Sequence, residues 1–154
     1  MGALESLLAR MRGQRVYIDA NFLIYFLDRR EPYFDLVSPI FTSCDAGDFE
    51  GVTGDAAVAE VMVYPYRSKS AAEIARGKAF FARPGFLTIL SHDAAAFDAC
   101  ARLRATSSLK MLDALHCATA LQAGCRFILT NDHAFAADTT AAQLEVVTIR
   151  GLQD

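Results

Sequence analysis

Short apolar runs rich in Val, Ile and Phe alternate with longer stretches of helical period, and no other feature limits the fold so strongly. RVYID (15–19), FEGVTG (49–54), FLTIL (86–90), RFILT (126–130) and EVVTI (145–149) read as strands. Between them, helical periodicity predicts helices over 3–12, 21–28, 33–46, 55–64, 70–82, 92–105 and the apolar segment LKMLDALHCATALQAG (109–124). Local signals set the ends: Gly13, Gly47 and Gly124 as stops, Pro39 as a bend in the third helix, Pro65 ending the fourth, and Ser91 as a cap. Strands separated by helices form parallel sheets, because a parallel pair needs a right-handed crossover that a helix supplies. The expected architecture is a single domain over 1–154, a three-layer α/β/α fold with a central, mostly parallel sheet.

Composition agrees with a packed domain. Of the 154 residues, 53% are apolar, and a chain of this length buries about two-thirds of its unfolded surface. No apolar run reaches the roughly 18 residues of a membrane span, and the first residues lack the charge-then-apolar order of a signal peptide, so a soluble, cytoplasmic protein is expected. The four cysteines show no CxxC spacing, and Cys100 and Cys117 lie in apolar helical stretches, which predicts buried free thiols. The net charge of −3 argues against a general nucleic-acid coat protein. Basic residues nevertheless cluster locally: Arg67, Lys69, Arg76, Lys78 and Arg83; Arg10, Arg12 and Arg15; and Arg102, Arg104 and Lys110.

Four acids stand where core is expected. In a sheet covered on both faces, ligands bind beyond the carboxyl ends of the strands. Asp19 and Asp132 follow two predicted strands there, although either acid alone serves equally as a helix cap. Glu60 and Asp113 lie in helices that are apolar on nearly every side, and such helices are buried. A buried ionised carboxylate costs several kcal/mol unless paired or bound to metal, and Lys110 is the main cation near Asp113. Four carboxylates meeting at one sheet edge predict a hard divalent cation, Mg²⁺ or Mn²⁺, held by oxygen ligands with no histidine pair competing. Hydrolysis of a phosphodiester is the chemistry such a site suits.

These residues, in the order YIDAN, VTGDAAVAEV, LKMLDALHCATAL and FILTNDHAF, resemble the PIN-domain ribonucleases, most closely the VapC-type toxins of toxin–antitoxin pairs. The resemblance spans nearly the whole chain. By position it implies a catalytic and metal-binding quartet of Asp19, Glu60, Asp113 and Asp132, with Asn21 and Thr130 in support. It implies Mg²⁺-dependent cleavage of single-stranded RNA, in tRNA or rRNA, that leaves a 5′-phosphate. It also implies a homodimer silenced by a small antitoxin. The family often carries serine at the exit of the second strand, where this chain has Gly54 beside Thr53, with Asp55 expected as a helix-start cap.

Other residues complete the expectations. Lys110, a turn before Asp113, is the candidate phosphate contact, and Arg67 to Arg83 form the track for the RNA backbone. His116 is read equally as a core histidine and as a neighbour of the site, whereas His92 and His133 are expected to face solvent. Two further functions compete. A haloacid-dehalogenase-like phosphatase needs a second Asp two residues after Asp19, where Asn21 stands. A catalytically silent PIN-like scaffold keeps the fold but only binds a partner.

Overall fold

The computed structural model describes residues 2–132 and 143–153. The elements run α1 (Ala3–Met11), β1 (Arg15–Ile18), α2 (Ala20–Leu27), α3 (Tyr33–Asp45), β2 (Glu50–Gly54), α4 (Asp55–Ser68) and α5 (Ala71–Ala82). They continue with β3 (Leu87–Leu90), α6 (Ala94–Ala105), α7 (Met111–Gln122), β4 (Phe127–Leu129), β5 (Glu145–Val147) and a closing 3₁₀ turn, Ile149–Leu152. The five strands form one sheet in the order β3-β2-β1-β4-β5, and every neighbouring pair is parallel.

Side chains alternate across this sheet, and the alternation divides the core in two. Val16 and Ile18 of β1 and Phe127 and Leu129 of β4 face one layer, with Met11 of α1, Phe22 of α2 and Phe41 of α3. Tyr17 and Ile128 face the other, with Cys100 of α6 and the small residues of α7. From Ala114 to Ala120 every residue of α7 is buried, so α7 is an interior helix, as its apolar sequence predicts.

The register places the site. Val16, Tyr17 and Ile18 pair with Phe127, Ile128 and Leu129, and the Asp19 N–H donates to the Leu129 carbonyl at 2.9 Å. Asp19 and Thr130 therefore leave the central pair of strands side by side at their carboxyl ends.

Three local expectations are corrected. Pro65 does not end α4. The helix runs one turn further, to Ser68, and closes at Lys69 in a left-handed conformation (φ 58°). A proline in a helix loses one hydrogen bond, at a cost of about 3 kcal/mol. Here Pro65 is buried, and its ring lies 4.0 Å from the point where a Cβ on Gly77 of α5 would stand, so packing between the two helices offsets the cost. Ser91 does not cap α6; Asp93 does, accepting from the Ala96 N–H at 2.8 Å. Asp55 is the first residue of α4 rather than its cap, a position taken by Gly54 without any side-chain bond. The four cysteines are buried and free, as expected.

Candidate active site

Asp19 directly follows β1 and caps α2, as the cap reading of this residue expects. Its Oδ1 accepts from the Ala20 N–H at 2.7 Å. Its Oδ2 accepts from the Thr130 hydroxyl at 2.8 Å. Two donors on two oxygens fix the carboxylate, which is 7% exposed. Thr130 is fully buried, and its oxygen accepts in turn from the Asp132 N–H at 3.2 Å. Asn21, two residues into the turn, accepts from the Asn131 N–H at 3.1 Å and so ties α2 to the loop that carries Asp132.

The other acids approach Asp19 from two directions. Asp113, in the first turn of α7, is half-buried and shares a side-chain hydrogen bond with Asp132. Its pKa is pushed up to about 6, first by burial, then by the charges of Asp132 and Asp19. Among the described residues no cation pairs with Asp113; Lys110 is exposed at the N-terminus of the helix and makes no ion pair there. Like charges close to one another and partly buried disfavour ionisation of Asp113.

Glu60 comes from α4 on the opposite side, and the expectation that it is buried is overturned. Its side chain is 42% exposed. The helix is apolar in sequence, yet it leaves Val63, Tyr64 and Tyr66 in solvent, so periodicity here does not report burial. Glu60 stands at the rim of the site, with Asp19 at its floor.

His116, read from sequence equally as a core residue and as a neighbour of the site, lies beside them. Its side chain is 1% exposed. The Nε2 atom lies 3.3 Å from Glu60 Oε1 and 3.6 Å from Asp19 Oδ1, and ligand atoms of Asp19, Glu60 and His116 all fall within 4.8 Å of one another. The other ring nitrogen, Nδ1, is 2.6 Å from the Tyr17 hydroxyl. Tyr17 is fully buried, and burial raises its pKa so that the phenol stays neutral. His116 is thus both a core histidine and a wall of the site. The structure brings together Asp19, Glu60 and His116 on one side, and Asp113 and Asp132 on the other, with Asp19 common to both.

His92 is not solvent-facing as expected. It is partly buried, with Nδ1 2.7 Å from the Thr119 hydroxyl and its ring edge-on to His116 at 5.7 Å. Burial, then the neighbouring His116, lowers its pKa. The space for this ring exists because residue 54 is glycine. A Cβ there would stand 2.5 Å from His92 Cε1 and 2.6 Å from the Tyr17 oxygen. His133 lies outside the described residues.

Two residues of the basic track pair with acids at the surface, Arg76 with Asp28 at 3.4 Å and Arg83 with Asp45 at 2.7 Å. Exposed pairs of this kind contribute little, about 0–1 kcal/mol, so phosphates can exchange for these carboxylates.

The donor set fits a divalent cation. It offers the Asp19 and Glu60 carboxylates and the His116 imidazole within 4.8 Å of one another, an Asp19 pre-oriented by two hydrogen bonds, and beside it an Asp113 whose pKa is raised by burial and by its acidic neighbours. An ion held there would counter that charge.

Known proteins fall in line with this geometry. Residues 16–138 match the sequence profile of the PIN domain. No curated protein sequence matches the chain. Among solved structures, a toxin–antitoxin complex from Klebsiella pneumoniae superposes with a TM-score of 0.68 at 19% identity, covering 87% of this chain and 97% of that one. VapC20 of Mycobacterium tuberculosis, a sarcin–ricin loop cleaving toxin, gives 0.66 at 13% identity, over 85% and 98%. DNA-bound VapBC from Salmonella typhimurium gives 0.63 at 14%, over 88% and 98%. At these identities the likeness is one of fold.

Proposed function

This chain belongs to the PIN-domain family, and from that premise we propose that it is a metal-dependent endoribonuclease acting as the toxin of a toxin–antitoxin pair. Its substrate is single-stranded RNA in a tRNA or rRNA, and its partner is a small antitoxin that covers the acidic cleft of a homodimer. The observation that carries the reading is the approach of Glu60 on one side, and of Asp113 and Asp132 on the other, to Asp19 beyond the carboxyl end of the central strand, with Asp113 pushed up to about 6 first by burial and then by its acidic neighbours. Toxin–antitoxin assemblies among the structural neighbours support the biological setting.

Asp19 and Asp113 are the principal ligands of Mg²⁺ or Mn²⁺, and Glu60 and Asp132 complete the set. Bound there, the ion supplies Lewis-acid activation of the phosphodiester and of water. Everything else falls to side chains. Thr130 and the Ala20 N–H hold Asp19 in one orientation, so no reorganisation is needed when substrate arrives. Glu60, exposed at the rim, is placed to orient the attacking water and accept its proton. Lys110, exposed a turn before Asp113, contacts a backbone phosphate, and Asn21 keeps the Asn131–Asp132 loop against α2.

The test is cleavage of total cellular RNA by purified wild-type protein and by Asp113→Asn, each with Mg²⁺ and with EDTA. Discrete fragments bearing 5′-phosphates, dependent on metal and absent with the variant, are expected. Intact RNA from folded, antitoxin-free wild-type protein in both Mg²⁺ and Mn²⁺ would replace this reading with a partner-binding scaffold.

A further inference from the structure

His116 Nε2 reaches the acidic cluster between two carboxylates and makes only a long contact with each. Glu60 Oε1 at 3.3 Å and Asp19 Oδ1 at 3.6 Å both exceed the 2.9–3.0 Å typical of an N–H···O bond, and the second is too long to be one. Spacings of this size are those of adjacent ligands on one ion. Donors each about 2.1 Å from a metal stand roughly 3.0–3.5 Å apart at octahedral to tetrahedral angles. The ring itself is fixed: His116 is 1% exposed, Tyr17 holds Nδ1, and the His92 ring packs edge-on against it.

We propose that His116 Nε2 is a direct ligand of the ion, which makes the site a mixed nitrogen–oxygen centre and shifts its preference from Mg²⁺ toward Mn²⁺. The inference rests on the metal-dependent reading above. Mg²⁺ favours all-oxygen surroundings, whereas imidazole suits the transition metals. A ligating histidine gives its remaining N–H to an oxygen, which fixes its tautomer. Here Nδ1–H donates to the Tyr17 oxygen.

That exchange leaves the Tyr17 O–H in need of an acceptor, and the structure holds one. His92 Nδ1 lies 2.7 Å from the Thr119 hydroxyl, and its Nε2 is buried with no hydrogen-bond partner among the described residues. Both His92 Nε2 and the Tyr17 oxygen border the space that the missing Gly54 side chain leaves open. In the metal-bound state, turning the Tyr17 hydroxyl toward His92 Nε2 would pair both groups.

The experiment is titration of wild-type, His116→Gln and Tyr17→Phe proteins with Mn²⁺ and with Mg²⁺ by calorimetry, together with electron spin-echo spectroscopy of the Mn²⁺-loaded wild type. Wild type is expected to bind Mn²⁺ at least about tenfold more tightly than Mg²⁺ and to show ¹⁴N modulation from imidazole. His116→Gln should lose the modulation and most of the preference while still binding Mg²⁺. Tyr17→Phe should bind Mn²⁺ on the order of tenfold more weakly. Mn²⁺ bound to wild type without ¹⁴N modulation overturns the assignment of His116 and leaves the nuclease reading standing; because this measurement uses wild type alone, a variant that fails to fold does not decide it. Wild type that binds neither ion overturns both.

Discussion

Thr130 donates its hydroxyl to Asp19 Oδ2 at 2.8 Å, joining two residues 111 positions apart. The Thr130 hydroxyl oxygen in turn accepts from the Asp132 N–H, so one buried hydroxyl sets the spacing of two acids. Thr130→Val keeps the shape and removes both bonds. It should cost about 1–3 kcal/mol in urea unfolding and lower metal-dependent RNA cleavage on the order of 10–100-fold. Thr130→Ser, which restores the hydroxyl, should recover most of both. Equal cleavage by the valine variant would show that Asp19 needs no such support.

Asp113 makes the metal-free protein less stable as pH rises. Its folded pKa is raised from 3.8 to about 6, so its contribution to stability is complete below about pH 4 and is lost as pH climbs through 6. The rise corresponds to at most about 3 kcal/mol, and solvent screening at a half-buried carboxyl reduces this to on the order of 1–2 kcal/mol. In EDTA, Asp113→Asn should therefore unfold at higher urea than wild type at pH 7.5, and at nearly the same urea at pH 4. A variant no more stable at pH 7.5 would mean that Asp113 carries no such penalty.

Gly54 has an ordinary extended backbone (φ −115°, ψ 162°), so replacing it strains nothing in the main chain. The obstacle is the His92 ring and the Tyr17 oxygen. Gly54→Ala should cost about 1–3 kcal/mol through overpacking. In a double-mutant cycle, His92→Ala should relieve a large part of that loss. Additive costs would assign the penalty to some other contact.

Burial pushes the thiols of Cys44 and Cys117 up to about 11 and that of Cys125 to about 12, and raises Cys100 as well. At pH 8 a thiol with a pKa near 11 is thiolate about one part in a thousand. Ellman's reagent should leave the native protein essentially unlabelled over minutes and titrate four thiols in denaturant. Rapid labelling of the native protein would contradict the burial.

Much of this molecule was legible in its residues because two periods differ so clearly. Strand runs such as RFILT cannot present a helical face, and the Ala-rich α7 cannot present a strand's. Asp19 and Asp132 were legible for the same reason, since a strand's carboxyl end can be read from its last apolar residue. Asp113 and His116 stand three apart on one face of an apolar helix, a spacing that marks them as neighbours without telling what either faces. What stayed hidden depends on contacts distant in sequence. Asp93 rather than Ser91 caps α6, and the same carboxylate also accepts from Gln122 of α7 at 3.2 Å. Pro65 stays helical because α5 covers it, and His92 turns inward because Thr119 and the gap at Gly54 receive it. Glu60 misled because hydrophobicity reports what a helix can bury, not what neighbours cover.

The central place of β1 has a consequence for the order in which this protein is made. Its partner on one side, β2, is complete by residue 54, but its partner on the other, β4, begins only at residue 127. A chain emerging from the ribosome carries Asp19 and Glu60 long before Asp113, His116 or Thr130 exists to meet them. Synthesis proceeds at about 5–20 residues per second, so for several seconds the growing polypeptide holds half of a cleft and none of its geometry.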